Sequence, residues 1–74
     1  MVTIEDIEAA DDRVAPHGFR TPLLESDALN DRLGGRLFVK AESLQKTGSF
    51  KLRGATNRIA ALTESQKVRG VVAY

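Results

Sequence analysis

Apolar residues recur at helical spacing near the start of the chain and predict an amphipathic helix over residues 4–14. The stripe that they form consists of Ile4, Ile7, Ala10 and Val14. Thr3 can cap the first turn, and Asp6 lies three positions later, near the positive end of the helix dipole. Pro16, His17 and Gly18 follow the last periodic residue and end the predicted helix.

Two further helices are predicted from the same spacing. Ser26 can cap a short second helix whose buried face carries Leu29 and Leu33, and Gly34 and Gly35 close its C-terminus. A third helix is predicted to begin near Ser49 and to end at about Leu62. Its apolar stripe consists of Leu52, Ala55, Ile59 and Leu62. Thr63 and Gln66 have the spacing of a capping box, which predicts one further helical turn.

Continuous apolar runs predict two strands, at residues 37–39 and 70–74. Residues 21–24 are expected to be extended, because Pro22 disfavours helix in the residue before it. A strand, a helix and a second strand in that order indicate a βαβ unit with parallel strands, and therefore an α/β fold with one βαβ unit preceded by two helices. The last strand would need cover on both faces. Residues 1–74 are therefore predicted to be a single incomplete segment of a domain that continues beyond Tyr74.

Composition narrows the possible functions. The net charge is +1, from 11 basic and 10 acidic residues, and there are only four aromatic residues, so a nucleic-acid-binding role is not expected. No apolar run approaches the ~20 residues of a membrane span, and the acidic N-terminus differs from a signal peptide, so a cytoplasmic protein is expected. The absence of cysteine excludes disulfides, and a single histidine, His17, argues against a zinc site. We expect His17 to be a surface loop residue.

One lysine stands in a setting suited to chemistry. Lys51 is predicted to lie in the first turn of the third helix, between Phe50 and the small residue Gly54. A lysine amine forms a Schiff base only when neutral, and the pKa of lysine in water is about 10.4. The helix N-terminus and the charge of Arg53 would both favour the neutral amine. Most lysines are simply solvated, however, so these patterns alone leave Lys51 a weak candidate.

The residues around Lys51 resemble a known family. The segment RLFVKAESLQKTGSFKLRGA (residues 36–55) is similar to the cofactor-lysine region of the threonine dehydratase and serine racemase family. Residues 21–24 (TPLL) resemble the short motif that precedes this region in the family. Residues 70–74 (GVVAY) resemble the strand that leads into the family's Ser-x-Gly-Asn-His loop. The resemblance covers nearly the whole chain and implies a tryptophan-synthase-β-like fold that binds pyridoxal 5′-phosphate (PLP).

The resemblance also implies roles for individual residues. Lys51 would bind PLP covalently and later accept the α-proton of the substrate. Phe50 would line one side of the cofactor ring, and Ser49 would cap the helix and lie near the site. Lys40 and Glu42 would hold the loop in place, and Arg53 would pair with a carboxylate elsewhere in a longer protein. No metal ligand is expected among residues 1–74.

Three interpretations of function remain open. The first is a PLP-dependent ammonia-lyase that converts a β-hydroxy amino acid, such as L-threonine or L-serine, to a 2-oxo acid and ammonia. The second is a serine racemase-like enzyme, whose second acid/base would lie beyond Tyr74. The third is a truncated, non-catalytic piece. A longer protein of this family is expected to take small amino acids as substrates and to form a homo-oligomer.

The resemblance places several necessary parts downstream of Tyr74. They are the substrate-binding loop, the glycine-rich loop that holds the cofactor phosphate, and the residue that faces the pyridine nitrogen. Residues 1–74 alone are therefore expected to be inactive. The apolar strands would leave an exposed edge at Leu37, Val71 and Val72, so the isolated chain is expected to be oligomeric or poorly folded.

Overall fold

The computed structural model describes all residues from Met1 to Tyr74. The chain forms four α-helices and one two-stranded sheet, with a single 3-10 turn. In chain order the elements are α1 (Ile4–Val14), β1 (Leu23–Glu25), α2 (Asp27–Leu33), β2 (Phe38–Lys40), the 3-10 turn (Glu42–Leu44), α3 (Lys51–Ala60) and α4 (Glu64–Arg69). None of the helices is both long enough and apolar enough to cross a bilayer.

Helix α1 begins and ends where the sequence predicts. The Thr3 hydroxyl accepts a hydrogen bond from the Asp6 amide, and the Asp6 carboxylate accepts one from the Thr3 amide at 2.9 Å. These two bonds form a capping box and satisfy two amides that have no partner within the helix. At the other end, the His17 amide donates to the Val14 carbonyl at 2.9 Å, and the His17 side chain is exposed, as predicted.

The sheet pairs β1 with β2 in antiparallel register. Leu23 lies opposite Lys40, and Glu25 lies opposite Phe38. Helix α2 connects the two strands. Ser26 caps its start, and Gly34 ends it at a φ of 67°, a left-handed conformation that glycine adopts without steric cost. The predicted caps of α2 are therefore confirmed.

The predicted parallel βαβ unit is wrong within residues 1–74. Strand β2 pairs with β1, and the two strands run antiparallel. Residues 21–24 were expected to be extended, but no pairing was predicted for them. Residues 70–74 form no strand, and Val72 is 94% exposed. A strand exists only where a neighbour accepts its backbone hydrogen bonds, and local sequence patterns do not identify that neighbour. The segment just before α2 provides it here.

Few side chains are buried. Helix α1 packs against α3, where Val14 is buried, and the Arg13 guanidinium donates to the Asn57 side chain at 3.0 Å. Leu29 and Leu33 were predicted to be buried, but they are 44% and 63% exposed. The radius of gyration is 16.2 Å. A compact chain of this length would have a value of about 11 Å.

Helix α3 begins two residues later than predicted, at Lys51, and ends at Ala60. The predicted turn after it is confirmed as α4, which is longer than one turn. Its capping box is formed by Thr63 and Gln66. The start of α3 is therefore the place where the structure presents the candidate lysine.

Candidate functional site

The structure brings Ser49, Phe50 and Lys51 together at the N-terminus of α3. A tight turn precedes them, in which the Gly48 amide donates to the Gln45 carbonyl at 2.8 Å. Gly48 has a φ of 71°, which favours glycine at this position. Ser49 was expected to cap α3, but the N-cap is Phe50, which makes no side-chain capping hydrogen bond. The Ser49 hydroxyl accepts only a long hydrogen bond of 3.4 Å from the Lys51 amide. Lys51 is thus the first helical residue, near the positive end of the helix dipole.

The Lys51 ammonium differs from those of the other lysines in the chain. Lys40 donates to the Thr21 carbonyl, Lys46 lies 5.1 Å from the centre of the Phe19 ring, and Lys67 pairs with Glu64 at 3.0 Å. The Lys51 ammonium makes no hydrogen bond, ion pair or cation–π contact, and the side chain is exposed. Among the four lysines, only Lys51 has a side-chain nitrogen without a partner.

The strongest ion pair near Lys51 joins Arg53 to Glu42. The Arg53 Nε and Nη2 atoms each donate to one Glu42 carboxylate oxygen at 2.9 Å. The Glu42 side chain is only 13% exposed. It also accepts a hydrogen bond from the Thr21 hydroxyl. A bidentate pair of this kind fixes the orientation of both groups as well as their distance.

This pair corrects two expectations about Arg53. Its carboxylate partner was expected elsewhere in a longer protein, and it is Glu42 within this chain. The Arg53 charge was also expected to act on the Lys51 amine, but its Nε and Nη2 donors are both directed at the Glu42 carboxylate. The Lys40 and Glu42 side chains both bind the segment at Thr21, which agrees with their expected role in holding the loop in place.

Hydrogen bonds from Arg53 and Thr21 lower the pKa of Glu42 from its ordinary value of 4.5 to about 2. A lowered carboxyl pKa stabilises the folded state above the unfolded pKa, and this contribution is lost as the pH falls through the folded pKa. We therefore expect the Glu42 contribution to be complete above about pH 4.5 and to disappear towards pH 2.

Carbon-13 NMR of the Glu42 carboxyl group during an acid titration measures this directly. A midpoint near pH 2 is expected in the native protein, and Glu42→Gln should show a smaller loss of stability between pH 4.5 and 2. Glu25→Gln is the comparison variant for Glu42→Gln, because hydrogen bonds from Arg36 and Asn30 also lower the pKa of Glu25. A midpoint of Glu42 close to pH 4.5 would contradict the proposed network.

Gln45 ties the turn before Lys51 to the segment before β1. Its side-chain oxygen accepts from the Phe19 amide at 2.7 Å, and its side-chain nitrogen donates to the Phe19 carbonyl at 2.8 Å. Gln45 is 4% exposed. Gly18 lies so close that an added methyl group would come within 3.3 Å of Leu52 and 3.5 Å of Gln45. The segment from Gln45 to Arg53, which contains Lys51, is thus held at both ends, by the bonds of Gln45 to Phe19 and by those of Arg53 to Glu42.

Two cavities, of about 350 and 300 Å³, lie along the side of α1 that faces α3. Asp11, Val14 and Arg53 line both. Neither is lined by Ser49, Phe50 or Lys51, so the candidate lysine does not contribute to either of these two cavities. Phe50 is 71% exposed.

Sequence reasoning placed Lys51 correctly at a helix start but did not predict the contacts that hold that start. The pairing of Arg53 with Glu42 spans 11 residues, and that of Gln45 with Phe19 spans 26. Residues 42–48 are mostly polar and show no helical or strand pattern in the sequence. The one available signal was Glu42, a carboxylate next to a strand end and near an arginine.

The chain is similar in sequence to known proteins over most of its length. The family model described as pyridoxal-phosphate dependent enzyme matches residues 14–74. The β-hydroxyaspartate dehydratase of Paracoccus denitrificans is 46% identical over 72 residues, which are 97% of this chain and 23% of that protein. The L-threonine ammonia-lyase of Thermotoga maritima is 49% identical over 73 residues, or 99% of this chain and 18% of that protein.

Solved structures show the same similarity as the sequence relatives. The structure of maize serine racemase superposes with a TM-score of 0.81 at 44% identity, covering 92% of this chain and 21% of the maize chain. This superposition confirms the predicted fold class, a piece of the tryptophan-synthase-β-like fold, although no parallel βαβ pairing forms within residues 1–74. The chain spans about a fifth of the length of these relatives. It belongs to the family of pyridoxal-phosphate-dependent enzymes.

Proposed function

We propose that these residues are the cofactor-lysine segment of a longer PLP-dependent ammonia-lyase. The substrate is a β-hydroxy amino acid such as L-threonine or L-serine, and the products are a 2-oxo acid and ammonia. The observation that carries the proposal is the unpartnered amine of Lys51 at the start of α3, within a sequence that matches the family model. The names of two relatives, a dehydratase and an ammonia-lyase, support this reaction class.

The residues present fit a PLP site. The Lys51 amine is exposed and uncommitted, as covalent attachment of an aldehyde requires. Phe50 offers an exposed flat ring beside it, and the Ser49 hydroxyl lies next to the Lys51 amide. When bound to an amine, PLP acts as an electron sink for negative charge at the substrate α-carbon.

Each of the three residues has its own proposed role. Lys51 would hold the cofactor through its amine, and the same amine would accept the α-proton of the substrate. Phe50 would cover one face of the ring and exclude water there, and Ser49 would lie near the cofactor. Loss of the α-proton and of the β-hydroxyl group, followed by hydrolysis, accounts for the 2-oxo acid and the ammonia.

Amino-acid racemisation is the second candidate, and the similarity to maize serine racemase favours it. Racemisation returns a proton to the opposite face of the α-carbon and therefore needs a second acid or base. Product analysis separates the two reactions, because the lyase releases ammonia and the racemase yields the other enantiomer of the substrate.

The setting of the whole protein is part of the same proposal. Residues 1–74 form one segment of a larger domain, which is supported by the low burial of α2 and of the β1–β2 pair. That larger protein is proposed to be a cytoplasmic homo-oligomer that binds a small amino-acid substrate. The absence of cysteine is compatible with a reducing compartment.

Borohydride reduction of the natively expressed protein, followed by intact mass measurement and peptide mapping, tests the proposal. Reduction converts a lysine-bound cofactor into a stable adduct. We expect a mass above 8.1 kDa and a pyridoxyl group on the Lys51 peptide. A mass of 8.1 kDa without an adduct would favour a non-catalytic piece. Equal labelling of Lys40, Lys46 and Lys67 would reject Lys51 as the cofactor lysine.

A further inference from the structure

The segment that carries Lys51 is closed into a loop by side chains. The segment runs from Glu42 in the 3-10 turn to Arg53 in α3. Two hydrogen bonds of 2.9 Å join the Arg53 guanidinium to the Glu42 carboxylate and so connect the two ends of the segment. Arg53 lies in the first turn of α3, two residues after Lys51. Any shift of the helix start relative to the 3-10 turn would therefore stretch or bend this bidentate pair.

Glu42 is itself held from the other side. The Thr21 hydroxyl donates to it, and Thr21 is 4% exposed. The Thr21 carbonyl in turn accepts from the Lys40 ammonium, and the neighbouring Pro22 carbonyl accepts from the Ala41 amide at 3.0 Å. The carboxylate thus sits between a buried hydroxyl and the arginine of α3, and it cannot turn towards one without losing the other.

We propose that Arg53, Glu42 and Thr21 are positioning residues for Lys51. They fix the position of the N-terminus of α3 relative to the segment before β1. They thereby orient the Lys51 amine towards the cofactor. This inference rests on the proposed function of Lys51, because positioning has a chemical consequence only if the amine reacts. None of the three residues touches the cofactor in this proposal.

Positioning of this kind matters because a reacting amine tolerates little misplacement. A shift of about 1 Å can cost as much as a hundredfold in rate or affinity for a well-aligned group. Arginine presents two parallel donors to a carboxylate, whereas lysine presents a single ammonium on a flexible stem. Arg53→Lys therefore keeps the charge and loses the fixed orientation, which is the property that the proposal requires.

The chain contains a matched control for this substitution. Arg36 and Glu25 also form a bidentate pair, with contacts of 2.7 and 2.8 Å and the same separation of 11 residues. That pair joins β1 to the end of the α2 connection rather than to α3. Arg36→Lys therefore imposes the same chemical change at a site that is not linked to Lys51.

The experiment measures the PLP concentration at which half of the Lys51 peptide carries the reduced adduct, in the natively expressed protein and its variants. Arg53→Lys should raise this concentration about tenfold or more. Arg36→Lys should leave it within about twofold, as for surface substitutions away from a site. Equal effects of the two substitutions would overturn the positioning proposal while leaving the proposed function intact.

A second pair covers the case in which Arg53→Lys fails to fold. Thr21→Val removes the hydroxyl at nearly constant volume, and Thr21→Ser keeps it. Thr21→Val should raise the half-saturating PLP concentration, and Thr21→Ser should restore it. If Thr21→Val binds PLP as tightly as the native protein does, the positioning role is rejected.

A cofactor-free measurement separates the two proposals. If native Lys51 takes no adduct, the proposed function fails, and amide hydrogen exchange at residues 55–57, the first amides that can donate within α3, then decides the positioning role. Exchange there should be about tenfold faster in Thr21→Val than in Thr21→Ser if the network holds the helix start. Equal exchange rates would reject that role as well.

Discussion

Replacement of Lys51 by arginine is expected to abolish the covalent attachment of PLP. The guanidinium of arginine stays protonated at every pH at which a protein is folded, so it offers no neutral amine to an aldehyde. Arginine is as good a helix former as lysine, so α3 should still begin at the same residue. Since the Lys51 side chain makes no polar contact, the free energy of unfolding should change by less than about 0.5 kcal/mol.

The measurement is the fraction of protein that carries the pyridoxyl group after borohydride reduction, at a fixed PLP concentration. Lys67→Arg is the matched control, because Lys67 also lies on a helix but is already paired with Glu64. The control should keep the full adduct, and Lys51→Arg should lose it entirely. Retention of the adduct by Lys51→Arg would assign the cofactor to another lysine and remove the basis of the proposed reaction.

Local signals predicted the helices of this chain well. The start of α1 is marked by Thr3 with Asp6, and the start of α4 by Thr63 with Gln66. The two ends of α2 are marked by Ser26 and Gly34. The residues of each pair are at most eight positions apart. Capping bonds of this kind depend on neighbouring residues alone, so the sequence contains all the information needed. The start of α3 is the exception, because its N-cap, Phe50, makes no side-chain capping hydrogen bond and the helix begins two residues later than predicted.

Long-range pairing could not be predicted in this way. Residues 37–39 look like one strand of a parallel unit, yet β2 pairs with β1, which is held beside it by the α2 connection. The Glu25–Arg36 ion pair and the hydrogen bond from the Leu37 amide to the Asn30 side chain stabilise that return. None of these contacts leaves a periodic trace in the sequence, because each joins residues that lie on different elements.

Burial was overestimated for a related reason. An apolar stripe such as Leu29 with Leu33 shows which face of a helix is suited to burial, but it does not supply the surface that covers it. The opposite case is Gln45, a polar residue that no sequence pattern marks for burial and that is among the most buried residues of the chain. A glutamine can be buried there because the backbone of Phe19 satisfies both ends of its side-chain amide.

Replacement of Gln45 by leucine is therefore expected to be strongly destabilising. The substitution removes two hydrogen bonds to Phe19 at similar side-chain volume and leaves a backbone amide and a carbonyl without their partners. Each lost bond costs about 0.5–1.5 kcal/mol, and more where water cannot replace it, so a loss of about 2 kcal/mol is expected. Urea unfolding of the natively expressed protein measures this loss as a lower transition midpoint.

Two further variants show whether the paired hydrogen bonds are the cause. Gln66→Leu makes the same chemical change at a capping residue of α4 and should cost about 1 kcal/mol or less, because water can reach the amide that it frees. Gln45→Glu keeps an acceptor for the Phe19 amide but places a carboxylate oxygen where the side-chain nitrogen lies 2.8 Å from the Phe19 carbonyl. The two oxygens repel each other, so Gln45→Glu should be at least as unstable as Gln45→Leu at neutral pH. A Gln45→Glu protein as stable as the native one would show that the amide does not hold the turn before Lys51.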